Sequence, residues 1–526
     1  MAKMGKISIL WADDEIDLLK PHLLYLQEKG FDVKTVTNGN DAVEEFSKAK
    51  DDFDIVFLDE NMPGISGIET LGKIKNINQR VPIVMITKSE EEAIMDDAIG
   101  SKISDYLIKP VNPGQILLSI KKNIDKNRLI SEKTTSGYQQ DFRNIGIMLG
   151  DNLSHKQWEE VYKKLIYWEL ELEKSGDESM KEVFQMQKAE ANTLFAKFIE
   201  KNYISWLQNK AAGASTAPVM SHTLLRNKIL PIVEKEQVPV FMLLIDNLRY
   251  DQWKVLMPEI ENLFRVDSEE SYYAILPTCT QYARNAIFAG LMPSEIEKMH
   301  PGLWMNDEDE GGKNMHEAEF LEGNLKRLGK NIKTSYNKIT NHNDGKKLSE
   351  NIHSLMGNKL NVIVYNFVDM LSHARTEMEV IRELASDDAA YRSITLSWFQ
   401  HSPLSDILKQ IAANKAKLII TTDHGTIKVV EATKVIGDKN TNTNLRYKSG
   451  KSLTYQAKDV FAVKNPAEAF LPRQHVSSVF VFVKGDKFFA YPNNYNYYVN
   501  YYKDTFQHGG ISLEEMIIPL VALSPK

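Results

Sequence analysis

A single cysteine, Cys279, among 526 residues leaves no pair for an internal disulfide. That excludes a disulfide-stapled secreted scaffold and fits a reducing cytoplasm. Long apolar runs are missing too: none approaches the roughly 20 residues that cross a bilayer, so no membrane span is expected. The first nine residues carry lysines but no apolar stretch ending at a small-residue cleavage site, so no secretory leader is expected. Nor is there a basic excess. The formal net charge is -7, and residues 1–125 hold 15 Lys+Arg against 22 Asp+Glu, leaving 49 of each elsewhere. Duplex-DNA reading through a strongly basic face is therefore not expected, although a local basic groove fits within the neutral remainder. With 43% hydrophobic and 26% charged residues the chain is of ordinary globular composition. Its length calls for two or three domains.

Residues 6–120 alternate short apolar runs with amphipathic stretches: KISILWA, DVKTVT, DIVFLD, VPIVMIT and DYLIKP, with helical spacing between and after them. Such alternation predicts an α/β fold with a parallel, doubly wound sheet. In that architecture reactive side chains project from the carboxyl ends of the strands. Those ends carry Asp13 and Asp14, Asp59, Thr87 and Lys109. Three carboxylates gathered on one edge repel unless a cation joins them, and hard oxygen ligands suit Mg²⁺. Asp59 is the candidate phosphoacceptor, with Lys109 pairing the new phosphate charge and Thr87 bonding it. The Lys109–Pro110 bond is one where a cis peptide is open. This pattern resembles the receiver domain of two-component response regulators, a flavodoxin-like (βα)5 fold, here residues 1–124. The resemblance implies that Asp14, Asp59 and the Asn61 carbonyl hold Mg²⁺, and that Thr87 and Tyr106 form the switch pair.

From Ile124 to Asn209 the spacing becomes purely helical: Trp158, Val161, Tyr162, Leu165, Trp168 and Leu172 recur every three or four residues. Residues 125–210 are expected to form a helical bundle connector with core aromatics, placed to transmit a dimerising signal. AAGASTAP reads as a linker before an output domain over 211–526.

That domain opens with VPVFMLLIDNLRYDQW, whose apolar run delivers Asp246 to a strand end. SYYAILPTCTQYARNAIFAG then gives a strand, a proline-marked turn and a helix whose start, bearing Thr278 and Thr280, favours an anion. NVIVYNFVD presents Asp369, with His373 four residues on. KLIITTDHG ends in Asp423 and His424, where Gly425 permits a tight turn, and HGGISLEEMIIP supplies His508. Three Asp and three His at strand ends of one sheet form an oxygen and nitrogen ligand set suited to zinc. With a nucleophilic hydroxyl it suffices for two ions flanking a transferring phosphoryl group.

The order D, PTxT, DxxxH, DHG, HGGxSxxExxxP resembles the alkaline phosphatase superfamily, specifically its PglZ-type domain, over roughly residues 220–526. The resemblance implies one Zn²⁺ held by Asp369, His373 and His508, and a second by Asp246, Asp423, His424 and the nucleophile. Related nucleotide pyrophosphatases place the reacting hydroxyl ten residues before the helix-ending glycine, which selects Thr280, with Thr278 as the alternative. Arg284, one helical turn beyond Thr280, either binds phosphate or is an exposed or salt-bridged arginine. No counterpart of the asparagine that those enzymes place after the nucleophile helix is evident.

Residues 428–464 carry eight Lys+Arg against three acids, either a lid that attracts polyanions or a solvated hairpin. YPNNYNYYVNYY, Tyr491 to Tyr502, either stacks bases or packs in a core or edge strand. A receiver, a helical connector and a PglZ-type domain in one chain resemble the PorX-type response regulators of the Bacteroidetes type IX secretion system. That likeness implies a zinc phosphodiesterase acting on small cyclic or linear oligonucleotides and a sensor histidine kinase upstream. It also implies a homodimer on Asp59 phosphorylation, and contacts with an extracytoplasmic-function sigma factor or secretion components. The other reading of the output domain is a zinc-stabilised docking module without catalysis.

Overall fold

A computed structural model describes residues 7–49, 52–88, 103–175, 180–208, 217–371, 387–438, 441–473 and 475–526; over 125–136 it describes the helix backbone alone. The chain divides into two compact units, Met1–Asp141 with Glu171–Lys181, and Phe142–Leu170 with Glu182–Lys526.

The first unit holds five parallel strands, β1 (Ser8–Ala12), β2 (Asp32–Val36), β3 (Ile55–Asp59), β4 (Ile83–Thr87) and β5 (Asp105–Ile108), in the order β2-β1-β3-β4-β5. That order is the flavodoxin-like one. Every residue of β3 and β4 is buried, as helix cover on both faces requires, which is why these strands read as unbroken apolar runs. Successive side chains alternate between two cores: Ile9, Trp11, Phe57 and Ile86 lie in one, Leu10, Val56, Leu58 and Met85 in the other. The helix expected between β4 and β5 falls on 89–102, outside the described residues. A single helix, Pro113–Leu149, runs through the expected 124/125 boundary.

In the second unit a six-stranded sheet contains β6 (Val240–Ile245), β7 (Phe264–Tyr273), β8 (Thr334–Ile339), β9 (Leu360–Tyr365) and β10 (Lys417–Thr421). Its remaining member is the C-terminal strand, Ile517–Pro525. The order is β7, C-terminal strand, β10, β6, β9, β8. β10, β6, β9 and β8 are mutually parallel, whereas the C-terminal strand runs antiparallel to both β10 and β7. One consequence decides where the chemistry sits: the carboxyl ends of β6, β7, β9 and β10 and the start of the C-terminal strand share one edge. Register makes those ends level, because Ile245 pairs with Tyr365, Leu244 with Thr421, and Ile517 with Tyr273.

Helices His155–Ser175 and Lys181–Gln208 carry the aromatic stripes. Trp158 meets Phe195 and Phe198 with ring centroids 5.4 and 5.9 Å apart. The Lys181–Gln208 helix also docks on the six-stranded sheet: the Tyr203 hydroxyl accepts from the Leu276 N–H at 2.8 Å, and Asn192 Oδ1 accepts from the Leu513 N–H at 2.8 Å. Among the described residues no helix is long and apolar enough to cross a membrane.

Candidate active site

The shared sheet edge gathers Asp246, Asp423 and His424, whose ligand atoms lie within 4.8 Å of one another. Thr280 joins them: its Oγ1 donates towards Asp246 Oδ1 at 3.3 Å and stands 3.1 Å from His424 Nε2. Thr278, two residues earlier, is bound elsewhere. Its hydroxyl donates to the Gly510 carbonyl at 2.9 Å and accepts from the Gly509 N–H at 3.1 Å. Thr280 therefore meets the acid–imidazole group and Thr278 the glycine turn. Cys279 between them is buried, and burial pushes its thiol well above the usual range.

A second group adjoins the first. His508 Nε2 lies 3.7 Å from Asp369 Oδ1, and the His424 and His508 rings stack with centroids 4.4 Å apart. Asn247 ties the groups together, its N–H bonding Asp423 Oδ1 and its Nδ2 bonding Asp369 Oδ1, each at 3.3 Å. It adopts a left-handed φ of 62° directly after β6, a conformation that asparagine tolerates better than most residues. His373 lies outside the described residues.

Electrostatics of the group are those of a cation site. Burial, with repulsion from Asp423 and Asp369, raises the Asp246 carboxyl well above the usual carboxylate range despite Arg284. Burial opposes ionisation of Asp423 as well, yet His424 and Arg284 hold it below the ordinary value. Asp423 Oδ2 is buried with no hydrogen-bond partner among the described residues. A buried acceptor facing a second acid and an imidazole fits a divalent cation. Arg284 is itself buried and spent in salt bridges, 2.9 Å from both Asp246 Oδ2 and Glu317 Oε1. Its Nη1 also donates to Asn366 Oδ1 at 3.3 Å.

In the first unit Asp13, Asp14 and Asp59 likewise converge within 4.8 Å. Lys109 Nζ stands 2.9 Å from Asp59 Oδ1 and 3.1 Å from Asp13 Oδ2 across a cis Lys109–Pro110 bond. Burial raises the Asp59 carboxyl, Asp13 and Asp14 add to the rise, and Lys109 offsets part of it. Asp59 Oδ2 is buried without a hydrogen-bond partner among the described residues, so this trio also fits a hard cation. Asn61 lies on the exposed loop two residues beyond Asp59. Thr87 is buried at the end of β4, and Tyr106 packs in the core between β3 and β4 and their helices.

The model of the BREX system PglZ alkaline phosphatase-like domain matches residues 224–523, more than half of the chain. The chain belongs to the PglZ alkaline phosphatase-like family. A response regulator receiver domain precedes it over residues 9–121, and a PorX response regulator linker domain over 128–207. In that order the three match a PorX-type response regulator, and a receiver implies a sensor kinase as phosphodonor. Transcriptional regulatory protein ResD of Bacillus subtilis is 30% identical over 121 residues, 23% of this chain and 49% of ResD. SrrA of Staphylococcus aureus is 25% identical over 168 residues, 30% of this chain and 68% of SrrA. The chain thus spans about half to two thirds of these curated relatives. Among solved structures, a receiver domain protein of Clostridium thermocellum is 26% identical, with a TM-score of 0.22, 23% of this chain covered and 98% of that one. Chemotaxis protein CheY4 of Vibrio cholerae is 29% identical, with a TM-score of 0.21 and coverage of 22% and 98%.

Within the PglZ domain, the residues that hold the site in place are those sequence reasoning passed over. Glu515, fully buried, accepts from the Gly510 N–H at 2.8 Å, the Ser512 hydroxyl at 2.7 Å and the Arg446 guanidinium at 2.5 and 3.1 Å. These bonds give the serine and the following glutamate of the HGGxSxxE stretch their purpose. Gly425 serves close approach rather than a left-handed turn, because a Cβ there would meet the Glu514 carbonyl oxygen at 2.0 Å. An amide beside Thr280 that the sequence does not mark is Asn314, whose Nδ2 donates to the Thr280 carbonyl at 3.0 Å and to Asn285 Oδ1 at 3.0 Å. It comes from a loop 34 residues downstream, and no short-range motif marks it.

The structure bears on two readings of the downstream segment. Of its eight basic residues, Arg446 and Lys448 are buried and turned inward, so the segment is not a uniformly basic lid. Residues 495–502 form a largely exposed helix rather than a core or edge strand. Tyrosines four apart stack on its surface, Tyr497 on Tyr501 and Tyr498 on Tyr502, because the helical repeat brings i and i+4 together.

Proposed function

We propose that this protein is a response regulator phosphorylated on Asp59 whose PglZ domain is a two-zinc phosphodiesterase acting on small cyclic or linear oligonucleotides. What supports the reading most is one contact set: the Thr280 hydroxyl stands among Asp246, Asp423 and His424 at a helix start.

Asp246, Asp423, His424 and Thr280 would hold one Zn²⁺, and Asp369, His373 and His508 the other. Bound there, the ions supply charge neutralisation and a lowered pKa for an attacking oxygen. The chain's own residues do the rest. Asp246 and His424 orient the Thr280 hydroxyl, whose proton is released to solvent, the source from which the leaving alkoxide is protonated. The threonine oxygen attacks phosphorus, the oxygen–phosphorus bond to the leaving alcohol breaks, and water then cleaves the phosphothreonine. Unpaired N–H groups at the start of the Thr280–Ala289 helix face the anionic phosphoryl oxygens. Asn247 keeps Asp423 and Asp369 in place.

At the receiver, Asp13, Asp14, Asp59 and the Asn61 carbonyl would hold Mg²⁺, Lys109 would pair the phosphoryl group, and Thr87 with Tyr106 would carry the switch. Phosphorylation then favours a homodimer. The likeness to PorX-type response regulators supports a role in type IX secretion, with a sigma factor or secretion components as partners. Thr280→Val is the test: hydrolysis of bis-p-nitrophenyl phosphate is lost while zinc stays bound. Turnover equal to that of the unaltered protein excludes Thr280 as nucleophile.

A further inference from the structure

Beside Thr280 lies a cavity of about 590 Å³, bounded by Gln281, Asp307, Glu308, Asn442, Thr443 and Asn444 and reaching Tyr447. Gln281 directly follows Thr280 in the helix. Across the cavity, the Tyr447 ring and the Asn444 amide stand 2.8 and 2.9 Å from where a Cβ on Gly509 would be, so that wall touches the residue after His508. The cavity thus adjoins the residues that follow Thr280 and His508, and its volume lies in the range of about 300–1,000 Å³ typical of ligand pockets.

Its walls are built rather than incidental. Asp307 accepts from the Tyr282 hydroxyl at 3.1 Å, the Tyr447 hydroxyl at 3.2 Å, the Ser449 hydroxyl at 2.9 Å and the Asn442 amide at 3.0 Å. Those four donors lock the loop that bears Asn442 to the helix that bears Thr280. Among the described residues no lysine or arginine lines the cavity. Of the two basic residues flanking Tyr447, Arg446 is paired with Glu515, and Lys448 is buried, donates to the Asn442 carbonyl at 2.7 Å and covers the Tyr491 ring. A second phosphate would find carboxylates and no cation among the described residues, which favours a neutral group over a polyanion.

What remains unspent in the walls names that group. Gln281 uses its Nε2 on the Met305 carbonyl, which leaves its Oε1 as an acceptor. Glu308 is exposed and makes no ion pair among the described residues. Asn444 uses its Oδ1 on the Arg446 and Tyr447 N–H groups, which leaves its Nδ2 as a donor. Acceptors are in excess, with one amide donor beside them. A guanine edge has the complementary pattern, two adjacent N–H donors that a carboxylate accepts together and a carbonyl oxygen for an amide.

We propose that this cavity is a base subsite, taking an N–H-donating heterocyclic base, guanine foremost, from the nucleotide whose phosphate reaches Thr280. The inference rests on the phosphodiesterase reading above. Its test is binding of dGMP and dTMP to zinc-loaded Thr280→Val protein by calorimetry, because the two ligands share phosphate and sugar. dGMP is expected to bind about tenfold more tightly, the worth of one charge-assisted hydrogen bond, and Glu308→Gln in the same background is expected to remove the difference. On p-nitrophenyl esters of the same nucleotides, Glu308→Gln is expected to raise KM for the guanine ester about tenfold with kcat kept. Equal affinity for dGMP and dTMP, or a Glu308→Gln effect of the same size on both, overturns the subsite. Bis-p-nitrophenyl phosphate, which carries no base, separates the two claims. If it is hydrolysed without discrimination between the nucleotides, the subsite alone falls; if it is not hydrolysed, the phosphodiesterase reading falls, whatever the calorimetry shows.

Discussion

Glu515 offers the sharpest test of how the site is held. Its carboxylate and the Arg446 guanidinium are both fully buried and paired at 2.5 Å. The same carboxylate holds the Gly510 N–H and the Ser512 hydroxyl in the turn that carries His508. Glu515→Ala would strand a buried guanidinium, a loss of about 3–5 kcal/mol, against a total stability of about 5–15 kcal/mol for a domain. At about 2 °C per kcal/mol in a large domain, the melting midpoint should fall by about 6–10 °C. Urea unfolding should show a lower midpoint with the same slope, the sign of lost stability without a change in surface exposed. Replacing both partners, Glu515→Leu with Arg446→Met, should recover most of the loss, because no charge is then left unpaired. A single-variant loss under about 1 kcal/mol, or a double variant as unstable as the sum of the singles, would refute the reasoning.

Lys448 should give the protein a pH-dependent stability. Burial lowers its pKa from 10.5 to about 7, so between those values the folded state binds fewer protons than the unfolded state. Stability therefore rises with pH over that window, and the penalty, on the order of 4 kcal/mol, is complete below pH 7. Lys448→Met should flatten the slope in urea midpoints measured from pH 6 to 10, and an unchanged slope would refute the assignment. Gly425→Ala drives a methyl group to 2.0 Å from the Glu514 carbonyl oxygen, and should cost several kcal/mol, read as loss of folded protein on circular dichroism. Beryllofluoride should shift the unaltered protein towards dimer in sedimentation and leave Asp59→Ala as it was; an equal shift in both would remove Asp59 from the control.

Much of the architecture was legible because the signals are local. Apolar runs ending in acids at Asp13, Asp59, Asp246 and Asp423 mark buried strands and their reactive ends, since a doubly covered strand needs no polar alternation. Helical spacing from Trp158 to Leu172 marks a face that must be covered, though not by what. The partner is in part the output domain, through Glu159 on Ser271 and Tyr162 on Tyr250, and periodicity says nothing of a partner's identity.

Composition and motif order by themselves determined the receiver, the PglZ-type output and the candidate ligands, because each is written as residue types at short spacing on single elements. Only the tertiary structure decided which threonine meets the acid–imidazole group, where Arg284 spends its charge and what Glu515 holds. The reason is the antiparallel C-terminal strand. It brings residues 508–515 back to the edge where the parallel strands end, and contacts across more than 200 residues carry no mark in local sequence.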